Sequence, residues 1–155
     1  AYGLWFTLRC LVNSELDRII VVKEIKKKHP TVIIFYNFDY ELEILRDLGK
    51  ELEIETAEWN GHKHQPLPKS SNWIYLVQYT AGAEGWNCIT SNAMIFYSQN
   101  YSYKIMVQSA GRIDRRNSPY SDLYYYHVRS NSSIDIAIAR ALNRKKNFNE
   151  KGFTA

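Results

Sequence analysis

Residues 108–119 of the chain, QSAGRIDRRNSP, contain the side chains that point most clearly to a chemical function. Three of the five residues from 112 to 116 are arginines, and Gly111 precedes them. Arginine suits phosphate because its planar guanidinium donates hydrogen bonds to two oxygens at once. The residues just before this segment, SYKIMV, are typical of a helix that faces a core. The segment therefore predicts a phosphate-binding surface beside a buried element.

The spacing of this segment predicts a helix over residues 102–115 with two different sides. Positions i, i+4 and i+7 share one face of a helix, and Gln108, Arg112 and Arg115 have that spacing. The apolar side, which we expect to face a sheet, carries Met106, Ala110 and Ile113. Gly111 would cost about 1 kcal/mol in a helix interior relative to alanine. A glycine there is easier to explain if a ligand or another backbone must come close.

A second candidate site is the glycine-containing turn TAGAEGWN, residues 80–87, which follows the predicted strand WIYLVQY, residues 73–79. Open α/β sheets bind ligands beyond the carboxyl ends of their strands. Glycines permit close approach, and the hydroxyl, carboxylate and amide groups of the turn can contact a ligand. The candidate residues in this turn are Thr80, Gly82, Glu84, Gly85 and Asn87.

Short apolar strands that alternate with helices position these two segments. Strands are predicted over residues 31–36, 52–56, 73–79, 93–98 and 123–128. Helices are predicted from a Ser14 cap to the residues before Pro30, over 40–49 with Gly49 as the stop, over 102–115, and over 132–150. This order predicts an α/β domain with a mostly parallel central sheet.

Composition restricts the class of protein further. The chain has 155 residues, so we expect a single domain with an ordered core over about residues 12–150. A net charge of +4 suits an anionic partner. The two cysteines, Cys10 and Cys88, are far apart, and we expect reduced thiols in a cytoplasmic protein. No apolar run approaches a membrane span and no leader is visible, and a start at Ala1 without Met is typical of a fragment of a longer chain.

The order of these motifs resembles the second, C-terminal RecA-like domain of superfamily-two helicases and translocases, with Swi/Snf-like and related phage or bacterial proteins as the nearest likeness. Residues 80–87 resemble motif V, and Gln108, Gly111, Arg112 and Arg115 match the Q-x-x-G-R-x-x-R pattern of motif VI. TVIIFYNF resembles the motif IV strand, EWNG the short segment after it, and SSIDIAIARALNRK the tail that closes such domains. The resemblance covers about residues 15–147 and implies a RecA-like, three-layer fold.

The resemblance also implies a mechanism that this chain cannot complete alone. The sequence has no GxxxxGK[ST] and no acidic pair after a strand to hold magnesium, so ATP and Mg²⁺ would be held mainly by an N-terminal RecA-like domain of the same protein. Arg115 would be the arginine finger, with Arg112 as a second phosphate contact and Gln108 orienting the pair. Other contacts to the nucleotide would come from Glu84, Gly85, Asn87 and Gly111. Nucleic acid, with DNA favoured over RNA, would contact Thr80, Gly82 and Asn37.

Plainer interpretations remain for each feature. The arginines could form a solvated basic face paired with Asp114 or Asp122, and the glycine turn could serve chain geometry alone. His62 and His64 are predicted to be solvated and not to bind a metal, and the tyrosines of residues 124–126 to pack on both sheet faces. The alternative functions are a stand-alone basic module that binds nucleic acid or protein, and an unrelated enzyme whose arginines bind a phosphorylated substrate.

Overall fold

The computed structural model describes residues 4–82, 88, 90–130 and 132–145. All six strands of this part belong to one sheet in which every neighbouring pair is parallel, in the order β1-β6-β5-β2-β4-β3. The strands are β1 (Leu4–Val12), β2 (Thr31–Tyr36), β3 (Glu55–Trp59), β4 (Trp73–Gln78), β5 (Ala93–Phe96) and β6 (Asp122–Ser130). The helices are α1 (Glu15–Lys28), α2 (Asp39–Glu51), α3 (Tyr79–Gly82), α4 (Tyr103–Ala110) and α5 (Ser133–Asn143).

Helices cover both faces of the sheet, which gives the predicted three-layer α/β architecture. On one face α1 and α2 contribute Val22, Ile25, Leu42, Leu45 and Leu48 to a core over β2, β4, β5 and β6. On the other face the side chains of Tyr79, Met106, Ile113 and Leu142 pack over the same strands. The central strands β2, β4 and β5 are almost fully buried, as parallel strands covered on both sides must be.

The first helix begins and ends for the reasons expected from its sequence. The Ser14 hydroxyl accepts a hydrogen bond from the Asp17 amide at 3.1 Å, which caps the amino end of α1. At the other end, the ammonium of the buried Lys26 donates to the carbonyl oxygens of His29 and Pro30 and to the Asn72 side chain. A lysine in the last turn therefore ties the end of α1 to the two residues that follow it and to Asn72.

The strand β1 is the largest difference from the sequence prediction, which began the ordered core near residue 12. Its nine residues pair in register with β6, from Leu4 opposite Asp122 to Val12 opposite Ser130. Most of its side chains remain exposed, including Leu4, Trp5 and Leu11. Residues 6–10, FTLRC, alternate apolar and polar side chains as strands often do, and the sequence prediction did not use this signal.

The region around Gly49 is a second correction. The helix α2 does not stop at Gly49 but runs to Glu51, and the next strand starts at Glu55 instead of residue 52. Glu53, with φ of 54°, makes the turn between the two elements. Gly49 faces Thr56, and a Cβ built on Gly49 would lie 2.4 Å from the Thr56 hydroxyl oxygen. The glycine is therefore required by helix–strand packing and does not mark a helix end.

Several other strands and helices end earlier in the structure than the sequence predicts. The strands predicted to end at residues 79 and 98 end at Gln78 and Phe96. The helix predicted over 132–150 ends at Asn143, because Arg144 is its cap and Lys145 has φ of 59°. The predicted residues 146–150 lie outside the described part of the chain. The helix predicted over 102–115 ends at Ala110, which changes the interpretation of the arginines.

Candidate nucleotide and nucleic-acid site

The helix α4 contains Gln108 and is followed directly by residues 111–116, which we call the arginine segment. Its N-cap is Ser102, whose hydroxyl accepts a hydrogen bond from the Ile105 amide. Met106 and Ser109 are buried against the sheet, and Gln108 is half-buried on another side. The Tyr125 hydroxyl donates to the Ala110 carbonyl at 3.0 Å, which ties the last helical turn to β6. Burial raises the pKa of Tyr125, so the hydroxyl keeps its proton for this bond.

Arg112 and Arg115 lie beyond the end of α4, so the prediction that one helix face carries both is wrong. Gly111 is the C-cap, and the chain then bends so that Ile113 is completely buried. Arg112 and Arg115 are half-buried, whereas Arg116 is exposed. Arg112, Asp114 and Arg115 each interact with other groups of the chain, so none of the three is without a partner. The buried Ile113 fixes the segment and separates the two half-buried arginines.

The conformation of Gly111 does not itself require glycine. Its φ is −70° and its ψ is −6°, which any residue can adopt. A Cβ built on Gly111 would lie 3.6 Å from the carbonyl oxygens of Val107 and Gln108, an ordinary contact distance. The predicted cost of a glycine in a helix interior does not apply, because Gly111 is not in the interior. Nothing in its described surroundings excludes a side chain at this position.

The two candidate segments meet through the backbone. The Cys88 amide donates to the Arg112 carbonyl at 3.0 Å, which joins the chain just after the glycine turn to the arginine segment. The Tyr120 hydroxyl donates to the Thr90 carbonyl, which adds a second link between the same regions. The predicted nucleotide contacts Glu84, Gly85 and Asn87 lie outside the described residues. The structure thus brings the residue after the glycine turn and the arginine segment together.

Asn37 lies at the carboxyl edge of the sheet, where its side-chain amide forms hydrogen bonds with other residues of the chain. Its side-chain nitrogen donates to the Ser98 hydroxyl and the Gln99 carbonyl, and its side-chain oxygen accepts from Asn100. The Glu41 carboxylate accepts hydrogen bonds from the backbone amide of Asn37 at 2.9 Å and from the Ser98 hydroxyl at 3.1 Å. We call these five residues the carboxyl-edge network. Asn37 therefore holds the ends of β2 and β5 in place.

Thr80 and Gly82 lie in α3, which follows β4 at the same edge. Thr80 is exposed, and the neighbouring Gln78 side chain donates to the Asn37 carbonyl at 3.3 Å. The Trp59 indole donates to the Ala81 carbonyl, which connects the EWNG segment to α3. The predicted nucleic-acid residues therefore share one edge. The arginine segment follows the far end of α4, which runs back from that edge.

Two exposed aromatic side chains at this edge were missed by sequence reasoning. Phe38 and Tyr40 are 58% and 57% exposed, and their rings stack with centroids 5.9 Å apart. The only signal was two aromatic residues in the turn NFDY after a buried strand. The exposed carboxylates of Asp39 and Glu43 lie close by in sequence, so this part of the edge is not basic.

The remaining predicted features have plain structural roles. His64 stacks on Trp59 with ring centroids 4.4 Å apart, and the amide of His62 donates to the side chain of the buried Asn60. No group of three or more potential metal ligands occurs in the described residues. Tyr124 and Tyr126 pack on one face of β6 and Tyr125 on the other, which confirms that prediction. Among the described helices, none is long and apolar enough to span a membrane.

Comparisons with known proteins place the fold. No family model and no curated protein matches the sequence of this chain. Its fold is similar to the crystal structure of the C-terminal part of the Fun30 ATPase domain, with a TM-score of 0.71 and 18% sequence identity. The likeness covers 91% of this chain and 50% of that one, so the chain spans about half the length of that structure. Together with the all-parallel sheet, this likeness shows that the chain has a RecA-like α/β fold.

Proposed function

We propose that this chain is the C-terminal half of an ATP-dependent nucleic-acid helicase or translocase, with DNA favoured over RNA as the substrate. The observation that carries the proposal is the backbone bond from Cys88 to Arg112, which joins the two motif segments within a RecA-like fold. The likeness to the C-terminal part of an ATPase domain supports the same conclusion. An N-terminal RecA-like domain of the same protein would hold ATP and Mg²⁺.

In this proposal Arg115 is the arginine finger that reaches the γ-phosphate when the two domains close. Arg112 adds a second phosphate contact, and Gln108 orients the pair from the last turns of α4. The half-burial of both guanidinium groups limits their freedom, so less conformational entropy is lost when phosphate binds. Their present interactions within the chain would be exchanged for contacts to the nucleotide. An arginine finger accelerates nucleotide hydrolysis by about 10³–10⁵ in related enzymes.

Gly111 has a role in this proposal that the domain alone does not explain. Its backbone conformation and its free space both allow a side chain. A glycine beside Arg112 leaves the α4 terminus open to the triphosphate or to the backbone of the other domain. Glu84, Gly85 and Asn87 of motif V would complete the contacts to the nucleotide.

The nucleic-acid track would use the exposed Thr80 and the backbone of Gly82 at the carboxyl edge. Asn37 would act by holding the turn, because its amide is already engaged with Ser98, Gln99 and Asn100. Contacts of this kind go to phosphates and carry no sequence information. Binding should therefore weaken as salt rises.

The test is Arg115→Ala in the complete protein, with Arg116→Ala as the matched control. We expect Arg115→Ala to reduce nucleic-acid-stimulated ATP hydrolysis by about 10³-fold or more while ATP binding persists. The exposed Arg116 should tolerate substitution with little change in rate. Single-stranded DNA, duplex DNA and RNA are compared as stimulating substrates. Unchanged turnover in Arg115→Ala, or equal losses in both variants, would remove the finger assignment.

A further inference from the structure

A cavity of about 240 Å³ lies between α4, α5 and the β1–β6 border of the sheet. Its floor is aromatic and consists of Trp5, Phe96, Tyr125 and His127. The Phe96 and His127 rings stack with centroids 4.6 Å apart, and Trp5 packs on Tyr125 at 5.4 Å. None of the described residues 111–116 lines this cavity. The cavity shares Gln99 with the carboxyl-edge network but is distinct from the arginine segment.

Two arginines stand together on the wall of this cavity. Arg9 is paired in register with His127, and Arg129 lies two residues further along β6 on the same sheet face. Within residues 4–82, 88, 90–130 and 132–145, neither guanidinium forms a salt bridge. Burial and the nearby Arg9 lower the pKa of Arg129, and only Asp135 opposes this. Two like charges with one partly compensating carboxylate leave this wall positive.

His127 adds no positive charge to the cavity at neutral pH. Burial, Arg129 and Arg9 lower the pKa of its imidazole to about 4. The other polar side chains in the lining include those of Thr7, Gln99 and Asn143, which carry no charge. The lining thus combines flat aromatic surface, neutral hydrogen-bonding groups and two cations. No acidic side chain lines the cavity in the described part of the chain.

The entrance of the cavity is apolar and open to solvent. Trp5 is 54% exposed and Val107 is 50% exposed, although both border the cavity. Ligand sites usually combine an apolar lining with a few placed polar groups and have volumes of about 300–1,000 Å³. A volume of about 240 Å³ lies just below that range, which restricts the ligand to a small molecule.

We propose that this cavity binds a small aromatic anion, a single planar ring that carries one phosphate or carboxylate. The ring would lie on the aromatic floor, where offset stacking is favourable. The anion would lie between Arg9 and Arg129, which can each donate paired hydrogen bonds to its oxygens. Binding would neutralise the repulsion between the two guanidinium groups. The site requires neither ATP nor a second domain.

Phenyl phosphate is the probe, titrated into the chain while the ring resonances of Trp5, Tyr125 and His127 are followed by NMR and the affinity is measured by calorimetry. Inorganic phosphate and benzyl alcohol are the matched probes that lack the ring or the charge. We expect saturable shifts confined to residues that line the cavity, with both matched probes at least tenfold weaker. Shifts centred outside the cavity, or equal binding of all three probes, would overturn the proposal without any variant.

Arg9→Gln and Arg129→Gln test the anion contact, and Arg140→Gln on the exposed side of α5 is the control. Loss of one charge-assisted hydrogen bond should weaken phenyl phosphate binding about tenfold in each of the first two variants. Arg140→Gln should bind as the unchanged chain does. Circular dichroism checks that each variant is folded, and folded variants with unchanged affinity would refute the arginine contacts. ATP hydrolysis by the complete protein is not part of this test, so its outcome is independent of the proposed function.

Discussion

The two ends of α4 differ in how their polar residues are used. Before its start, Ser98, Gln99 and Asn100 join Asn37 and Glu41 in the carboxyl-edge network, where side chains bond directly to neighbouring elements. After its end, the arginine segment holds half-buried and exposed guanidinium groups, and a glycine that the local geometry does not require. The first end follows from the needs of folding, whereas at the second end the fold of the described chain does not require Gly111.

Polar residues before and after α4 look alike in the sequence, but we expect their substitution to have different effects. A buried polar group without a partner costs about 1–3 kcal/mol, so the network must be complete for the sheet edge to form. At the other end, substitution should change the chemistry more than the stability. Four substitutions test this contrast, in order of their expected effect on the free energy of unfolding.

The network is tested most strongly by Glu41→Ala, which should lower the free energy of unfolding by roughly 3 kcal/mol. The buried Glu41 carboxylate accepts from the amides of Asn37 and Phe38 and from Ser98, so its removal leaves three donors without this acceptor. Glu41→Gln keeps one acceptor oxygen and should cost clearly less. Urea unfolding of both variants measures the difference, and a loss below 1 kcal/mol in Glu41→Ala would break the comparison.

His127 extends the contrast to a buried group beside α4. The folded chain holds the pKa of His127 at about 4, below the usual 6.5, because of burial and the charges of Arg129 and Arg9. Between these two pH values the unfolded chain binds more protons, so stability falls as pH decreases from 6.5 toward 4. Over this pH range, the shifted pKa of His127 lowers the free energy of unfolding by about 3 kcal/mol.

His127→Phe should remove that part of the pH dependence while it keeps a ring against Phe96. Urea unfolding at pH 7 and pH 4.5 gives the slope for both proteins. His29, whose pKa burial also lowers, should leave some slope in the variant. Identical slopes in the two proteins would contradict the assignment to His127.

Gly49→Ala should destabilise the chain by about 1–2 kcal/mol, because the new Cβ meets the Thr56 hydroxyl at 2.4 Å. The Thr56 hydroxyl also donates to the Ile54 carbonyl, so its rotation away carries a cost. In a Thr56→Ala background, where the hydroxyl is absent, adding Gly49→Ala should cost little further stability. Strictly additive losses in this double-mutant cycle would show that the contact is not the cause.

Gly111→Ala is the matched counterpart and should leave stability unchanged or raise it by up to about 0.5 kcal/mol, since alanine fits the backbone and the space. In the complete protein the same substitution should lower ATP hydrolysis by about tenfold or more if a ligand or domain must approach this position. Thermal unfolding and an ATPase assay measure the two effects. A large loss of stability would show that both glycines are structural.

Much of the fold could be predicted because it depends on strong local signals. TVIIFY and WIYLVQ are buried on both faces and bounded by turn residues, and Ser14 is a clear helix cap. Errors arose where tertiary contacts override such signals. Gly49 resembles a helix stop until Thr56 is seen beside it, and β1 exposes most of its apolar residues.

In the structure, the Cys88–Arg112 bond joins the residue after 80–87 to the segment 108–115, while the roles of the individual site residues stay predictions. The sequence predicted these two segments of the candidate site but not their geometry. It could not show that α4 ends at Ala110, because the Arg112–Arg115 spacing also fits a continuing helix. Nor could it show that Asn37 is engaged by Ser98 and Asn100, residues about 60 positions later in the chain.

The pairing of β1 with β6 has a consequence for how the chain is made. Leu4 meets Asp122 and Val12 meets Ser130, so β1 is synthesised long before its partner strand. During synthesis the leucines, tryptophan and phenylalanine of β1 stay unpaired until residues 122–130 have emerged. Parallel pairing over such a separation is slow, since a long loop must close first. The newborn chain therefore passes through a period in which this strand is open to chaperones and to aggregation.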